Sequence, residues 1–248
     1  MINIKLTIEY DGTDFFGWQI QPDKRTVQEE IELALEKITN EKVRITGAGR
    51  TDTGVHARNQ TANVILRSNY EPETIKKALN GKLPKDIYIK NAYNVPESFN
   101  SRFDALSKIY KYYIAKGRTA INRRFCWEIF YTLNSEPIFE CCEKLIGKKD
   151  FRSFSKLDKE RINFTCDIKN AEWLEEPDKY TFIIEADRFL HNMVRTIVGT
   201  LIDAGRNKIT PDDFLKIFDH KDRKSAGMTA PAKGLFLEKI IYPQSQDL

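Results

Sequence analysis

At 248 residues, with 41% hydrophobic and 31% charged side chains, the chain is long enough to bury one large core or two modest ones without covalent staples. Four cysteines with no CxxC pair and no zinc spacing argue against a secreted disulfide framework and for a reducing compartment, so a cytoplasmic location is expected. No apolar run approaches the ~18–20 residues of a membrane span, and a net charge of +4 is too small to name a partner by itself.

MINIKLTIEYDG lacks the long apolar core of a signal peptide and reads as a first strand, INIKLTIEY. TVQEEIELALEKIT follows as a helix, with Val27, Ile31, Leu35 and Ile38 on one face. KVRIT and QTANVILR read as strands, EPETIKKALNGKL as a helix and DIYIKNAYNV as a strand, giving the order β-α-β-β-α-β. The second half repeats the theme. SKIYKYYIAK is a strand and EPIFECCEKLIG a helix; INFTCDIKNAEWLEE and KYTFIIEADRF form a hairpin around Pro177-Asp178. HNMVRTIVGTLIDAG is a helix, TPDDFLKIFDH a second one opened by Thr210 and Pro211, and GLFLEKIIY a closing strand. The expected fold class is α+β, with two ferredoxin-like βαββαβ subdomains, residues 1–106 and 107–248, whose antiparallel sheets flank a central cleft. That topology hosts many activities and leaves function open.

Charge is unevenly spread. Residues 42–67 carry Lys42, Arg44, Arg50, Arg58 and Arg67 against one acid, Asp52. Residues 101–124 carry Arg102, Lys108, Lys111, Lys116, Arg118, Arg123 and Arg124 against Asp104, interleaved with Phe103, Tyr110, Tyr112 and Tyr113. Cations answer phosphates and aromatic faces answer unstacked bases, so the mixture suits RNA; a solvated strand-and-loop surface would give the same counts.

Within the first basic stretch, GAGRTDTGVHA at 47–57 sets Asp52 between Arg50 and His56, with Gly47, Gly49 and Gly54 permitting positive φ or close approach of another backbone. Asp-Thr-Gly is also the aspartic-protease tripeptide, but that chemistry needs a second carboxylate and no second DTG or DSG is present. A phosphate loop would want GxxxxGK[ST] before a helix; the lysine is missing and a strand follows. A plain turn explains the glycines and leaves Arg50 without a role. In RFLHNMVRTIVGTLIDAG, Leu190, Val194, Ile197, Val198, Leu201 and Ile202 form a helical apolar face with Arg195 at its margin. An arginine there snorkels to water or is drawn inward to an anion, for which Asp52 is the candidate. The three histidines show no HExxH and no ligand cluster, so no metal site is expected.

Six stretches stand together in one order: YDGTDFFGWQ, TVQEEIELAL, GAGRTDTGVHA, FNSRFDALSKIYKYYI, FLHNMVRTIVGTL and APAKGLFL. In them the chain resembles the tRNA pseudouridine synthase A family over nearly its whole length. The resemblance implies an isomerase that converts uridine to pseudouridine at positions 38, 39 and 40, in the anticodon stem-loop of tRNA. It implies no cofactor and no metal, and a homodimer whose subunits jointly cradle the tRNA, with no membrane or DNA partner. It makes Asp52 the catalytic nucleophile, Tyr110 the residue that stacks on the target base and a candidate for taking its C5 proton, Arg195 the basic partner of the aspartate, and Arg50 the arginine that helps displace the target nucleotide. The chain departs from the family's habit twice: Lys108 and Ile109 precede Tyr110 where arginine is frequent, and Ser101 replaces a common alanine. The rival reading is an RNA-binding protein without catalysis, which would have no need of the Asp52, Tyr110 and Arg195 set.

Overall fold

A computed structural model describes residues 1–67, 69–156 and 162–243. The chain divides into two units, one of residues Met1–Ser107 joined by the strand from Phe236 onward, the other of Lys108–Leu235.

In the first unit β1 (Ile2–Tyr10) lies between β3 (His56–Leu66) and β4 (Ile87–Val95), antiparallel to both. A central strand covered on two faces explains why Asn3 and Lys5 are buried along with Ile4, Leu6 and Ile8. The helix α1 (Val27–Thr39) buries Val27, Ile31, Ala34 and Leu35, a stripe at i, i+4, i+7 and i+8, and ends on Asn40 in the left-handed region at φ 58°. The helix α2 (Pro72–Lys82) buries Ile75 and Leu79. β2 (Thr46–Gly47) pairs antiparallel with β3, so the order β4-β1-β3-β2 is the one a ferredoxin-like unit requires.

The strand expected over KVRIT contracts to its last residue and the glycine after it. The backbone of Ile45 is engaged by α1 side chains instead: its N–H donates to Glu32 Oε1 at 3.0 Å and its carbonyl accepts from Gln28 Nε2 at 3.4 Å. Local side-chain bonds satisfy a segment that a sheet ladder would otherwise hold.

In the second unit β5 (Ser107–Lys116) is flanked by β6 (Trp127–Ile129), which pairs with it in parallel, and by β9 (Lys179–Ala186). β9 continues to β8 (Thr165–Glu175) and β8 to β7 (Gly147–Asp150), all antiparallel. The hairpin expected around Pro177-Asp178 is closed by Glu176 N–H donating to the Lys179 carbonyl at 2.9 Å. The helices are α3 (Ser135–Leu145), α4 (Met193–Gly205) and α5 (Pro211–His220). Phe151, Phe154, Phe214 and Phe218 pack ring on ring beneath α5. β6 and β7, three and four residues long, carry no alternation by which a sequence could announce them.

The last strand, β10 (Leu235–Ile241), runs parallel to β3 through Phe236 opposite His56 and Leu237 opposite Ala57. The second subdomain expected from sequence runs through to residue 248. The structure groups the chain from Phe236 with the first unit, and 244–248 lie outside the described residues. Among the described residues no helix is long and apolar enough to cross a membrane.

Candidate active site

The Asp52 loop leaves the sheet at the end of β2 and rejoins it at the start of β3. Its ascending limb is tied to β3, with Ala48 N–H donating to the Thr61 carbonyl at 2.8 Å and Gln60 Nε2 to the Gly49 carbonyl at 2.8 Å. Its tip is a turn in which Val55 N–H donates to the Asp52 carbonyl at 3.1 Å, and Gly54 takes φ 76°, where a side chain would be strained. Asp52 is half-buried between buried Thr51 and exposed Thr53, and Arg50 is exposed.

The stretch between β1 and α1 clamps this loop. Trp18 N–H donates to the Thr51 carbonyl at 3.1 Å and Gly54 N–H to the Phe15 carbonyl at 3.2 Å. The Tyr10 hydroxyl lies 2.7 Å from Thr51 Oγ1, fully buried; burial pushes the Tyr10 phenol well above its ordinary range, so it stays a neutral hydrogen-bonding group. Two glycines make the contact close. A Cβ on Gly12 would sit 2.0 Å from the Val55 carbonyl oxygen, and one on Gly17, itself at φ 89°, would sit 2.5 Å from the Thr51 carbonyl oxygen. YDGTDFFGWQ was legible only as a match to a family pattern. Its work is to grip both sides of Asp52, a role no local pattern in either stretch encodes.

Gly47 also has a definite reason, and it is not an approaching RNA backbone. The Trp18 indole covers it so closely that a Cβ would lie 2.6 Å from the ring. His56 serves the scaffold too: Gly12 N–H donates to its Nδ1 at 3.0 Å, Asp11 Oδ1 lies 3.1 Å from the same nitrogen, and the ring stacks on Phe236 at 4.6 Å.

Four of the five basic residues of 42–67 are placed by other surroundings in the first unit. Lys42, Arg44 and Arg67 line a separate cavity of about 690 Å³ with Asn40, Thr46 and Asn100, and Arg58 faces Glu238 at 3.5 Å. In the second stretch the aromatic residues divide: Phe103 is 78% exposed, whereas Tyr112 is wholly buried and belongs to the core. Ser101 is buried, and its N–H and hydroxyl both donate to Asn63 Oδ1 at 2.9 Å.

Tyr110 lies on β5, 6% exposed, its ring edge-on to Phe189 at 5.0 Å. Arg195 lies in the first turn of α4, which starts from Asn192 at φ 63°. Its Nε donates to the Ala230 carbonyl at 2.7 Å and its Nη1 to Asn192 Oδ1 at 3.2 Å, while Ala230 N–H donates back to the Arg195 carbonyl at 3.0 Å. Two of its five donors are thus committed inside the second unit, which fixes the plane of the guanidinium. The snorkelling alternative does not describe this arginine. The segment carrying Ala230 was read from sequence only as part of a family pattern, APAKGLFL.

The family profile described as tRNA pseudouridine synthase matches residues 6–104 and 141–243. The chain belongs to that family. A tRNA pseudouridine synthase A of Caldicellulosiruptor bescii is 43% identical over 244 residues, covering 98% of this chain and all of that protein. One from Clostridium acetobutylicum is 42% identical with the same coverage, and one from Bacteroides thetaiotaomicron is 40% identical over 240 residues, 96% of this chain and 89% of that one. The family's activity is that of an isomerase. Asp52 and Arg50 fall in the first matched segment and Arg195 in the second; Tyr110 lies between the two.

Proposed function

We propose that this protein isomerises uridine to pseudouridine at positions 38, 39 and 40 of the tRNA anticodon stem-loop, with Asp52 as the nucleophile and no cofactor. The observation that carries the reading is a single half-buried carboxylate on a loop gripped from both sides by backbone bonds, in a chain of the tRNA pseudouridine synthase family.

The chemistry asks for little more than that. The N1–C1′ bond breaks, the uracil turns, a C5–C1′ bond forms, the C5 proton leaves and N1 gains one, so the product is an isomer. Attack of the Asp52 carboxylate on the sugar or on the base, or elimination to a glycal, would each give the base the freedom to turn. In each, the carboxylate must be held still, which the Tyr10–Thr51 and Trp18–Thr51 bonds favour. A stem uridine has to be extruded first, at roughly a few kcal/mol. Stacking on Tyr110 would return ~1–3 kcal/mol, and exposed Arg50 suits the displacement of the nucleotide. Arg195, its plane fixed by Ala230 and Asn192, is the cation assigned to Asp52 in the reaction. By the same resemblance the working form is a cytoplasmic homodimer that cradles one tRNA between its subunits.

Tritium release from tRNA transcripts labelled at uridine C5 tests this. Release by the wild type, lost in Asp52→Ala and lost when uridines 38–40 are replaced, is the expected result. Tight tRNA binding with no release from the wild type would leave an RNA-binding protein and no isomerase.

A further inference from the structure

Arg195 is oriented by the Ala230 carbonyl, and the position of that carbonyl is set by a strap running from Ala226 to Pro231 along one face of α4. The strap touches the helix at consecutive turns. Gly227 N–H donates to Thr200 Oγ1 at 3.0 Å, Thr229 Oγ1 lies 3.5 Å from Thr196 Oγ1, and Ala230 and Arg195 exchange bonds in both directions. The contact is at backbone distance. A Cβ on Gly199 would lie 1.8 Å from the Met228 carbonyl oxygen, and one on Gly227 would lie 2.9 Å from Thr200 Cα. Beyond Ala230, the buried Tyr112 hydroxyl donates to the Pro231 carbonyl at 2.7 Å.

Arg223 holds the other end. Its Nη1 donates to the Gly227 carbonyl at 3.0 Å and the Ala226 carbonyl at 3.3 Å, and its Nη2 to Thr229 Oγ1 at 2.8 Å. All three partners are neutral. Burial pulls its pKa below the ordinary arginine value, so the cation is spent on fixing a backbone rather than on balancing a charge. Only a planar fork reaches the two carbonyls and the hydroxyl together; an ammonium on a flexible stem does not reproduce that geometry.

We propose that Arg223 is a positioning residue for the reaction, acting through the 226–231 strap to aim the Arg195 guanidinium. This rests on the reading of Arg195 given above. It assigns a task to a residue that touches neither Asp52's loop nor any group proposed to touch the base.

Arg223→Met and Arg223→Lys should both lower single-turnover pseudouridine formation, the first by about 10- to 100-fold and the second by less. Their tRNA dissociation constants should stay within about twofold of wild type, since lost aim alters the reacting state and not the phosphate contacts. The deciding comparison is made in the Arg195→Ala background, where adding Arg223→Met should cost less than a further twofold. Costs that multiply in the double variant, or a loss of tRNA affinity matching the loss of rate, would overturn the proposal. A second measurement does not depend on the isomerase reading. The Arg195 Nε–H signal, identified by its disappearance in Arg195→Lys, should exchange with solvent at least tenfold faster in Arg223→Met. Unchanged protection of that proton refutes the strap mechanism whatever reaction the protein performs; absence of tritium release by the wild type, with protection behaving as expected, would refute the reaction alone.

Discussion

Gly12 faces the Val55 carbonyl oxygen so closely that an added carbon would stand 2.0 Å from it, and the atom in its way is backbone, with no rotamer to yield. Gly12→Ala should therefore push the 12–18 segment off the Asp52 loop. The expected cost is about 1–3 kcal/mol of stability from overpacking, with pseudouridine formation falling more than tenfold while tRNA affinity changes little. Gly81→Ala is the matched control: it lies in α2 with nothing within 4 Å of the new carbon, so it should be neutral or stabilising by up to about 1 kcal/mol. Chemical denaturation and single-turnover assays on the pair separate the effect of this contact from that of losing any glycine. If the two variants behaved alike, the clamp would have no part in placing Asp52. At this scale the sequence showed where the carboxylate is, because glycines crowded around a lone acid form a local pattern. It did not show that Gly12, Gly17 and Trp18 hold that acid, since the partners meet only after β1 and β3 have paired.

Helix α5 shows how far an element can be read from its own residues. Thr210 and Pro211 announce its start, and the structure completes the signal as a capping box. Asp213 N–H donates to Thr210 Oγ1 at 3.1 Å, and Thr210 N–H and hydroxyl donate to Asp213 Oδ2 at 3.2 and 2.8 Å. Thr210→Ala should cost about 1 kcal/mol. The Asp213 carboxyl is held down to about 2 by the Lys216 ammonium and by the Thr210 hydroxyl and N–H, against an ordinary 3.8. A carboxyl lowered on folding adds stability that is complete above its unfolded value and drains away as pH falls through its folded one. The melting-temperature gap between wild type and Asp213→Asn should thus be present at pH 5 and close towards pH 2. Because the group is exposed, the gap should also narrow in high salt. A gap that widened on acidification would reverse the assignment. KVRIT marks the opposite limit: its alternation is that of a strand, yet the side chains of Glu32 and Gln28, from a helix earlier in the chain, take the backbone groups a strand would have used.

The whole molecule returns its C-terminal strand to the unit it began with, and this the sequence could not disclose. GLFLEKIIY reads as a strand in either half, because alternation states that one face is buried and not what buries it. Several of its partners lie in the first unit. Asn59 Nδ2 donates to the Glu238 carbonyl at 2.8 Å, Leu106 N–H to the Ile241 carbonyl at 2.8 Å, and the buried Tyr242 hydroxyl to the Ser101 carbonyl at 2.7 Å. Phe236 stacks on His56, the first residue of β3 after the Asp52 loop, and Leu237 and Ile240 are buried. Ending the chain at Leu235 therefore strips the first unit of a sheet neighbour and of the ring under His56, while the bonds described within Lys108–Leu235 are left intact. Hydrogen exchange on the truncated chain should show amides of β1 and β3 losing protection while those of β8 and β9 keep theirs. A peptide of residues 236–243 added in trans should restore part of the lost protection, because a strand supplied separately can still add to an open edge. Tyr242→Phe is the gentler probe, removing one buried hydrogen bond for about 1 kcal/mol. Equal loss of protection throughout the truncated chain would mean that the closing strand belongs to a single cooperative unit. Loss confined to the first unit would tie its stability, and with it the seat of Asp52, to residues almost two hundred positions further along the chain.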